Sequence, residues 1–345
     1  MKKFFKKWFN SLKYEPTDPR HRAGGVIRIV ALGGGTGLST LLKGLKLYSN
    51  EITAVVSVAD NGSSSGKLRK EFDVLPPGDI RKCLSALAED EKMMTDILEY
   101  RFRNAGSGLD NHTLGNIWLT GLSQRYGSFA KAIEITSELF ATHGEVLPAS
   151  LEKLDLCTLY DDGKQVKGED NLDKIVGKKI QKIFYQQEKV KANPRVIKAI
   201  AAADLILIGP GSLYGSVIPN LLIPGIRRAI VHNSRAVKIY ISNCSTERTQ
   251  TAGYTVENHI EEIFAHSQKG LFGHCLVNSK LMKKSAKETV LGEINNITTT
   301  DKVIAGVSIF RKDVVDRQNP LFHNPNLLAK TLIEMYNGIK AGNNV

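Results

Sequence analysis

Short unbroken apolar runs alternate along the chain with apolar residues at helical spacing, a pattern typical of α/β proteins. Between the first two runs, apolar residues recur at i, i+3, i+4 and i+7, as on a buried helix face, at Leu38, Leu41, Leu42 and Leu45. The unbroken runs are rich in β-branched residues, which predicts buried parallel strands at 26–32, 52–58, 204–208 and 237–242. The pattern therefore predicts a parallel sheet covered by helices.

One stretch differs, because residues 145–185 carry short alternating runs around an Asp161-Asp162-Gly163-Lys164 turn, as in a β-hairpin. We interpret 144–190 as a small antiparallel β insertion. It interrupts a single nucleotide-binding domain over 26–345, which follows a tail and linker over 1–25.

The first strand runs into a glycine-rich turn that contains Gly34, Gly35, Thr36 and Gly37 and leads directly into a helix. Glycine lets a ligand approach the backbone, and a helix N-terminus attracts phosphate. A tight βα turn without a ligand is the alternative. The spacing is neither G-x-G-x-x-G nor a P-loop, which argues against an NAD-dependent oxidoreductase and a Walker-type nucleotidase.

Two further polar loops follow predicted strands, where open α/β sheets bind ligands. Asp60 could hold a metal ion or a ribose hydroxyl, and the residues after it offer donors: Asn61, Gly62, Ser63, Ser64 and Ser65. A solvated Ser/Gly loop is the alternative. The loop after residue 208 offers Gly211, Ser212 and Tyr214 to a phosphate or a sugar.

Three polar residues stand at predicted helix starts. Asp79 is expected to cap a helix that runs to Ala88, and a ligand contact is equally open. His112 and Asn116 are spaced i, i+4 and could face one site, although a lone histidine is usually structural. Cys244 has no identifiable histidine partner, so we interpret it as a core residue.

Composition narrows the class of protein. The 345-residue chain has a net charge of +12, of which five charges fall within residues 1–22, and the remainder shows no basic cluster interleaved with aromatics. This argues against nucleic-acid binding and fits a small anionic ligand. The four cysteines are far apart and no apolar run is long enough to span a bilayer, so we expect a cytoplasmic protein.

The first fourteen residues read MKKFFKKWFNSLKY, with five lysines around one apolar helical face formed by Phe4, Phe5, Trp8, Phe9 and Leu12. A basic amphipathic helix can lie on an anionic membrane surface. A mobile tail, or a helix that docks on the body of the protein or on a partner, are the alternatives.

Several motifs resemble the CofD-like superfamily, and most closely its YvcK branch of gluconeogenesis factors: ALGGGTGLSTLLKGL, VADNGSSSGKLR, LPPGDIRKCL, TLGN and ADLILIGPGSLYGSVIPNLL. The resemblance implies a three-layer α/β/α Rossmann-like fold. It also implies a cytoplasmic protein that binds a UDP-sugar, with UDP-N-acetylglucosamine as the expected ligand, and that is linked to cell-wall precursor supply and cell shape. The implied ligand residues are those named above at 34–37, 60–65, 79, 112, 116, 211, 212 and 214, together with Asn243.

The chain departs from the family motifs at Asn61 and Ser63, which replace a second Asp and a second Gly, and at Phe322, which stands where an Arg is usual. Losing a carboxylate weakens any metal site. We therefore expect a binding and regulatory protein without turnover and with no required cofactor, linked to growth on gluconeogenic carbon sources. A magnesium-dependent, phospholactate-type transferase is the alternative, with Mg²⁺ at Asp60. A cell-wall biosynthesis protein as partner and a homodimer stay open.

Overall fold

The computed structural model describes residues 26–281 and 294–342 apart from 104, 105, 107 and 176, and it describes Ser63 by its backbone only. The predicted amphipathic segment 1–14 and the linker after it lie outside the described residues.

An eight-stranded, mainly parallel sheet forms the centre. Its strands are β1 Ile29–Gly33, β2 Ile52–Val56, β3 Glu145–Pro148, β7 Leu205–Ile208, β8 Val237–Ile241, β9 His274–Asn278, β10 Val303–Ile304 and β11 Val307–Lys312. They lie in the order β10-β11-β9-β8-β7-β1-β2-β3, and among them only β10 and β11 pair antiparallel in the described part of the chain. The strands β1, β2 and β7 are buried along their whole length, as their unbroken apolar runs predict.

Helices cover both faces of the sheet, which gives the predicted three-layer α/β/α architecture. They are α1 Gly35–Leu45, α2 Ser63–Phe72, α3 Gly78–Leu87, α4 Glu91–Leu98, α5 Leu114–Tyr126, α6 Phe129–Leu139, α7 Pro194–Ala202, α8 Ile218–Leu222, α9 Pro224–His232, α10 Val256–His266 and α11 Pro325–Lys340. Helix α1 packs against α3 and α11, and α7 packs against α9. The four leucines predicted to form the buried face of α1 are each 0% exposed, which confirms the helical spacing.

Several helix starts follow from capping residues in the sequence. Thr113, Ser128 and Asn193 each accept a hydrogen bond from a backbone N–H in the first turn of α5, α6 and α7. Thr255 and Asn258 form a capping box at α10. These side chains satisfy N–H groups that a helix leaves without intrahelical partners.

Three predictions of local structure were wrong. Residues from Ser63 onward belong to helix α2 rather than to a loop. Asp79 is not the N-cap of α3, because Pro77 occupies that position and Asp79 lies in the first turn. Helix α4 ends at Leu98, whereas the sequence pattern predicts a helix over Lys92–Phe102. In each case the local sequence pattern left the helix boundary undetermined.

A separate three-stranded antiparallel sheet is formed by β4 Leu156–Tyr160, β5 Gln165–Lys167 and β6 Ile180–Tyr185, in the order β5-β4-β6. The predicted insertion 144–190 begins earlier than this sheet, since Glu145–Pro148 pairs with β2 in the main sheet. A short 3₁₀ turn, Glu169–Asn171, lies between β5 and β6.

The winding of the main sheet reverses between β1 and β7. From β1 the chain proceeds to β2 and β3 on one side, whereas from β7 it proceeds to β8 and β9 on the other. Ile29 of β1 pairs with both Ile52 and Leu205, so the carboxyl ends of β1 and β7 leave the sheet side by side. Open α/β sheets bind ligands at such a topological switch point. Among the described residues, no helix combines the length and apolar character needed to cross a bilayer.

A paired substitution tests the packing of α1 on α11. A Cβ on Gly44 would meet the carbonyl group of Pro325, with the carbonyl carbon at 2.7 Å, whereas a Cβ on Gly121 of α5 would meet no atom within 4 Å. We expect Gly44→Ala to lower the free energy of unfolding by about 1–3 kcal/mol through overpacking. Gly121→Ala should instead raise it by roughly 0.5–1 kcal/mol. Urea unfolding measures both, and equal effects of the same sign would contradict the described helix contact.

Candidate functional site

The two glycine-rich loops meet directly at the switch point. A Cβ on Gly37 would lie 2.8 Å from the carbonyl oxygen of Pro210 and 2.9 Å from the amide nitrogen of Gly211. Real Cβ atoms do not approach backbone this closely, so a side chain at position 37 would force the loops apart. Gly37 is therefore required by the contact between the loops, a reason that the sequence reasoning did not consider.

Helix α1 presents an uncapped N-terminus beside this contact. Its N-cap is Gly34, which has no side chain to bond the first-turn N–H groups, and no acidic residue lies in that turn. Gly35 has φ +61°, and a Cβ there would meet only Asp79 Oδ1, at 4.0 Å. The exposed Thr36 follows it. Free N–H groups with a partial positive charge form an anion site.

The second loop is held in place by two polar residues. Asn243 follows β8, accepts a hydrogen bond from Gly211 N through Oδ1 at 3.2 Å and donates one from Nδ2 to Gly211 O at 2.9 Å. Ser212 Oγ accepts from Gly215 N at 3.1 Å and lies 2.9 Å from Gln250 Oε1. Both residues were predicted as ligand contacts, and here they also fix the backbone that lines the site.

A cavity of about 490 Å³ opens between the loops. Of the predicted site residues, it is lined by Gly34, Gly35, Thr36, Gly37, Asp60, Asp79, Gly211, Ser212 and Asn243. Several other lining residues were not predicted, and they include Ser57, Lys82, Glu169, Glu247, Arg248 and Leu321. Most of these follow strands or come from distant elements, and Lys82 is the one among them that lies within a quoted motif, LPPGDIRKCL.

A buried polar network holds three other predicted residues away from the cavity lining. Ser64 Oγ lies 2.9 Å from His112 Nδ1 and accepts a hydrogen bond from Asn116 Nδ2 at 3.0 Å. Arg81 donates to Asn116 Oδ1 and forms an ion pair with Glu99 at 2.7 Å. Burial and the charge of Lys67 lower the pKa of His112, which favours its neutral form. The structure thus brings His112 and Asn116 together, as their spacing predicts, on a contact that joins α2, α3 and α5.

The remaining predicted residues also contact protein groups. Asn61 Oδ1 accepts from Asp170 N at 3.0 Å, and Ser65 Oγ accepts from Gly78 N at 3.1 Å. Gly62 donates its N–H to Asp60 Oδ1 at 2.9 Å. Tyr214 is 0% exposed and its hydroxyl lies 2.9 Å from that of Tyr254. Ser63 begins α2, and its side chain lies outside the described part of the structure.

Four carboxyl groups line the cavity, and their environment favours protonation of three of them. Burial raises the pKa of Asp60, and the nearby charge of Asp79 raises it further. Burial, then the charges of Asp60 and Asp79, raise the pKa of Glu169 to about 8. Burial also raises the pKa of Glu247 to about 7. Near neutral pH, part of the negative charge expected from this lining is therefore absent.

The lining offers few groups for covalent or metal chemistry. Burial raises the pKa of Cys244 to about 12, which keeps its thiol protonated and agrees with its interpretation as a core residue. In the residues that the structure describes, no three His, Cys, Asp or Glu side chains converge as metal ligands. A magnesium ion would have to be held by one or two carboxylates together with ligand phosphates.

His323 also lines the cavity and is 6% exposed. Its Nε2 has no hydrogen-bond partner in the described part of the chain, and burial lowers its pKa to about 4. The ring is therefore neutral at pH 7. A buried polar atom without a partner at a cavity wall is suited to a ligand. In the sequence, His323 is marked only by its neighbour Phe322, which departs from the family motif.

Comparisons with known proteins agree with this geometry. The sequence model of the CofD family, described as 2-phospho-L-lactate transferase CofD, matches residues 29–315. A gluconeogenesis factor from Halalkalibacterium halodurans is 40% identical over 310 residues, which cover 89% of this chain and 95% of the relative. A gluconeogenesis factor from Bacillus subtilis is 37% identical over 314 residues, which cover 89% of this chain and 98% of the relative.

Two crystal structures of a Bacillus halodurans protein superimpose on this chain with TM-scores of 0.85 and 0.83, at 38% sequence identity. Each match covers 90% of this chain and 100% of the other. The family match covers the described cavity lining from Gly34 to Ile294 and ends before Leu321, Phe322 and His323. The chain therefore belongs to the CofD family, and within it to the gluconeogenesis factors of the YvcK type.

Proposed function

We propose that this chain is a regulatory protein that binds a UDP-sugar, with UDP-N-acetylglucosamine as the first candidate, without turning it over. The observation that carries the proposal is the cavity at the switch point, where the uncapped N-terminus of α1 faces the second glycine loop. Its volume of about 490 Å³ is in the range of small-molecule sites.

The diphosphate of such a ligand fits the first-turn N–H groups of α1. Gly35 leaves the backbone open, and the exposed Thr36 adds a hydroxyl. Lys82 and Arg248 supply positive charge to the lining, although Lys82 lies 3.5 Å from Asp79 Oδ1 and is partly neutralised by it. Backbone donors, a helix dipole and a cation together are a usual environment for phosphate.

The sugar and nucleoside portions would supply hydroxyl and N–H donors. The lining matches them with acceptors, namely the carboxyl groups of Asp79 and Glu247 and the unpartnered Nε2 of His323. Hydroxyl side chains that can donate or accept are contributed by Ser57, Ser216, Ser245 and Thr246. A ligand with both an anionic part and many hydroxyls is thus better suited to the cavity than inorganic phosphate alone.

The regulatory role rests on the family and on the lining. The relatives at 40% and 37% identity are gluconeogenesis factors, and the thiol of Cys244, the cysteine in the described lining, stays protonated. We therefore propose a cytoplasmic sensor that links UDP-sugar supply to cell-wall synthesis, cell shape and growth on gluconeogenic carbon sources. A cell-wall biosynthesis protein as partner and a homodimer belong to the same proposal.

The second candidate is a magnesium-dependent transferase of the phospholactate type, favoured by the description of the matching family and by the carboxyl groups of Asp60 and Asp79 at the cavity. Asn61, which replaces a usual carboxylate, already accepts a hydrogen bond from Asp170 N and is poorly placed to bind a metal as well. This favours binding without a required cofactor.

A charge placed at the start of α1 tests the binding site. We expect Thr36→Glu to keep the fold, because an acidic residue is favourable in a first helical turn, and to weaken UDP-sugar binding at least tenfold by repelling the diphosphate. Asn326→Glu is the matched control, since Asn326 is also the second, exposed residue of its helix, α11. Calorimetry should give the control wild-type affinity. Wild-type affinity in Thr36→Glu would show that the N-terminus of α1 does not bind the ligand.

The raised carboxyl pKa values predict a pH dependence of binding. Glu169 and Glu247 take up protons as the pH falls through about 8 and about 7, whereas the diphosphate stays ionised. Lower pH removes repulsion, so the affinity for a UDP-sugar should rise between pH 9 and pH 6, on the order of tenfold. Uridine, which lacks phosphate, should show no such change. The substitution Glu169→Gln should remove the part of the affinity change that occurs near pH 8. Tighter binding of a UDP-sugar at pH 9 than at pH 6 would contradict the assignment.

Turnover separates the two candidate functions. We expect purified protein to release no product from UDP-sugars under multiple-turnover conditions, with or without Mg²⁺, because Asn61 stands where a carboxylate is usual and the thiol of Cys244 stays protonated. Chromatography of the nucleotide products measures this directly. Product release that is lost in Asp60→Ala would identify the chain as an enzyme and reverse the order of the two candidates.

A further inference from the structure

A second, mostly apolar groove lies along the edge strand β3. Its volume is about 340 Å³. Helix α6 forms one wall, β3 the floor and the start of α7 the other wall, with the apolar lining Ala130, Ile133, Val146, Leu147, Pro148, Leu151 and Pro194. Leu151 is 52% exposed at the rim.

The groove lies along a sheet edge, which proteins usually cover with another segment. Strand β3 is the last strand on its side of the sheet, so one of its edges has no neighbouring strand among the described residues. Exposed sheet edges pair with other chains unless a helix or a loop covers them. The opposite edge ends differently, in the two-residue antiparallel strand β10.

The charge around the groove is negative. Glu134, Glu138 and Glu145 line it, with Arg195 as the basic lining residue. Arg195 is paired with Glu145 at 2.6 Å and Glu134 with Lys131 at 3.0 Å, whereas Glu138 is exposed and has no ion pair in the described part of the chain. An apolar floor with an acidic rim suits a basic segment with an apolar face.

The chain itself contains such a segment, since residues 1–14 combine five lysines with the apolar positions Phe4, Phe5, Trp8, Phe9 and Leu12. It can also reach the groove. Ile29 pairs with Ile52, and the next residue, Thr53, pairs with Glu145, so β1 begins two strands away from the start of β3. That is about 10 Å across the sheet.

The linker is long enough for this distance. Val26 lies three residues before Ile29, or about 10 Å along the strand. Residues 15–25 can span roughly 36 Å when extended. A second depression, lined by Arg28, Glu51 and Lys198 among others, shares Glu145 and Arg195 with the groove and connects it to the start of β1.

We propose that the groove over β3 is the docking site of residues 1–14 of the same chain. The apolar face of the segment covers the strand edge, and its lysines face the glutamates of the rim. This assignment is independent of the UDP-sugar proposal, because the groove and the switch-point cavity share no lining residue.

Cross-linking in the full-length chain tests the proposal. Leu12→Cys is combined with Leu151→Cys and treated with a short bis-maleimide, while the four native cysteines are buried and protected. The matched control joins Leu12→Cys to Val303→Cys, which is 60% exposed on β10 at the other edge of the sheet. We expect at least tenfold more intrachain product for the Leu151 pair, measured by mass spectrometry of the linked peptides.

Three variants separate docking from chance contact. Replacing both Phe5 and Phe9 by Ser should reduce the Leu151 cross-link to the level of the control, whereas Asn10→Ser, off the apolar face, should leave it unchanged. Glu138→Lys should reduce it severalfold at low salt. Equal yields at Leu151 and Val303 would overturn the proposal.

The other occupants give different results. A mixture of ¹⁵N-labelled and unlabelled chains distinguishes intrachain from interchain links, and predominantly mixed-isotope products would assign the groove to a second copy instead. In a Trp118→Phe chain, Trp8 is the remaining tryptophan. We expect acrylamide to quench it weakly in buffer alone. Protection that arises only with phosphatidylglycerol vesicles would assign the segment to a membrane surface and overturn docking.

Discussion

The close contact between two backbone loops is the constraint on which the site depends. At the switch point, Gly37 lies so near Pro210 and Gly211 that no side chain can stand between them. Because the loops touch, the N-terminus of α1 and the loop after β7 open into one cavity instead of two separate surfaces. Asn243 reinforces this arrangement from β8 through its two hydrogen bonds to Gly211. Three adjacent strands thus contribute to one binding surface.

Much of the fold could be predicted, because its signals are local. Unbroken apolar runs mark β1, β2 and β7, and the leucine spacing marks α1. The position of the loops followed as well, since parallel strands deliver their carboxyl ends to one side of the sheet. These inferences need only the periodicity of the sequence and the rules of sheet topology.

The lining of the site could be predicted only in part. Glu169 comes from a turn in the antiparallel insertion, and no local pattern indicates that this turn lies against the second glycine loop. Conversely, Tyr214 follows Ser212 by two residues yet is directed into the core, where its hydroxyl meets Tyr254. Polar residues near a glycine loop are as easily satisfied by protein groups as by a ligand, and only three-dimensional contacts distinguish the two cases.

Because Glu169 belongs to the antiparallel insertion, local unfolding of the insertion is coupled to proton release. While the turn is docked, burial keeps the pKa of Glu169 near 8, compared with an ordinary value of 4.5. Undocking exposes the carboxyl group to water, where it ionises and loses its proton at neutral pH. The docked form therefore loses stability as the pH rises from about 4.5 to about 8. Hydrogen exchange in the β4–β6 sheet should consequently accelerate with pH beyond its intrinsic rate between about pH 4.5 and about pH 8, which couples the stability of this small sheet to the protonation of one carboxyl group.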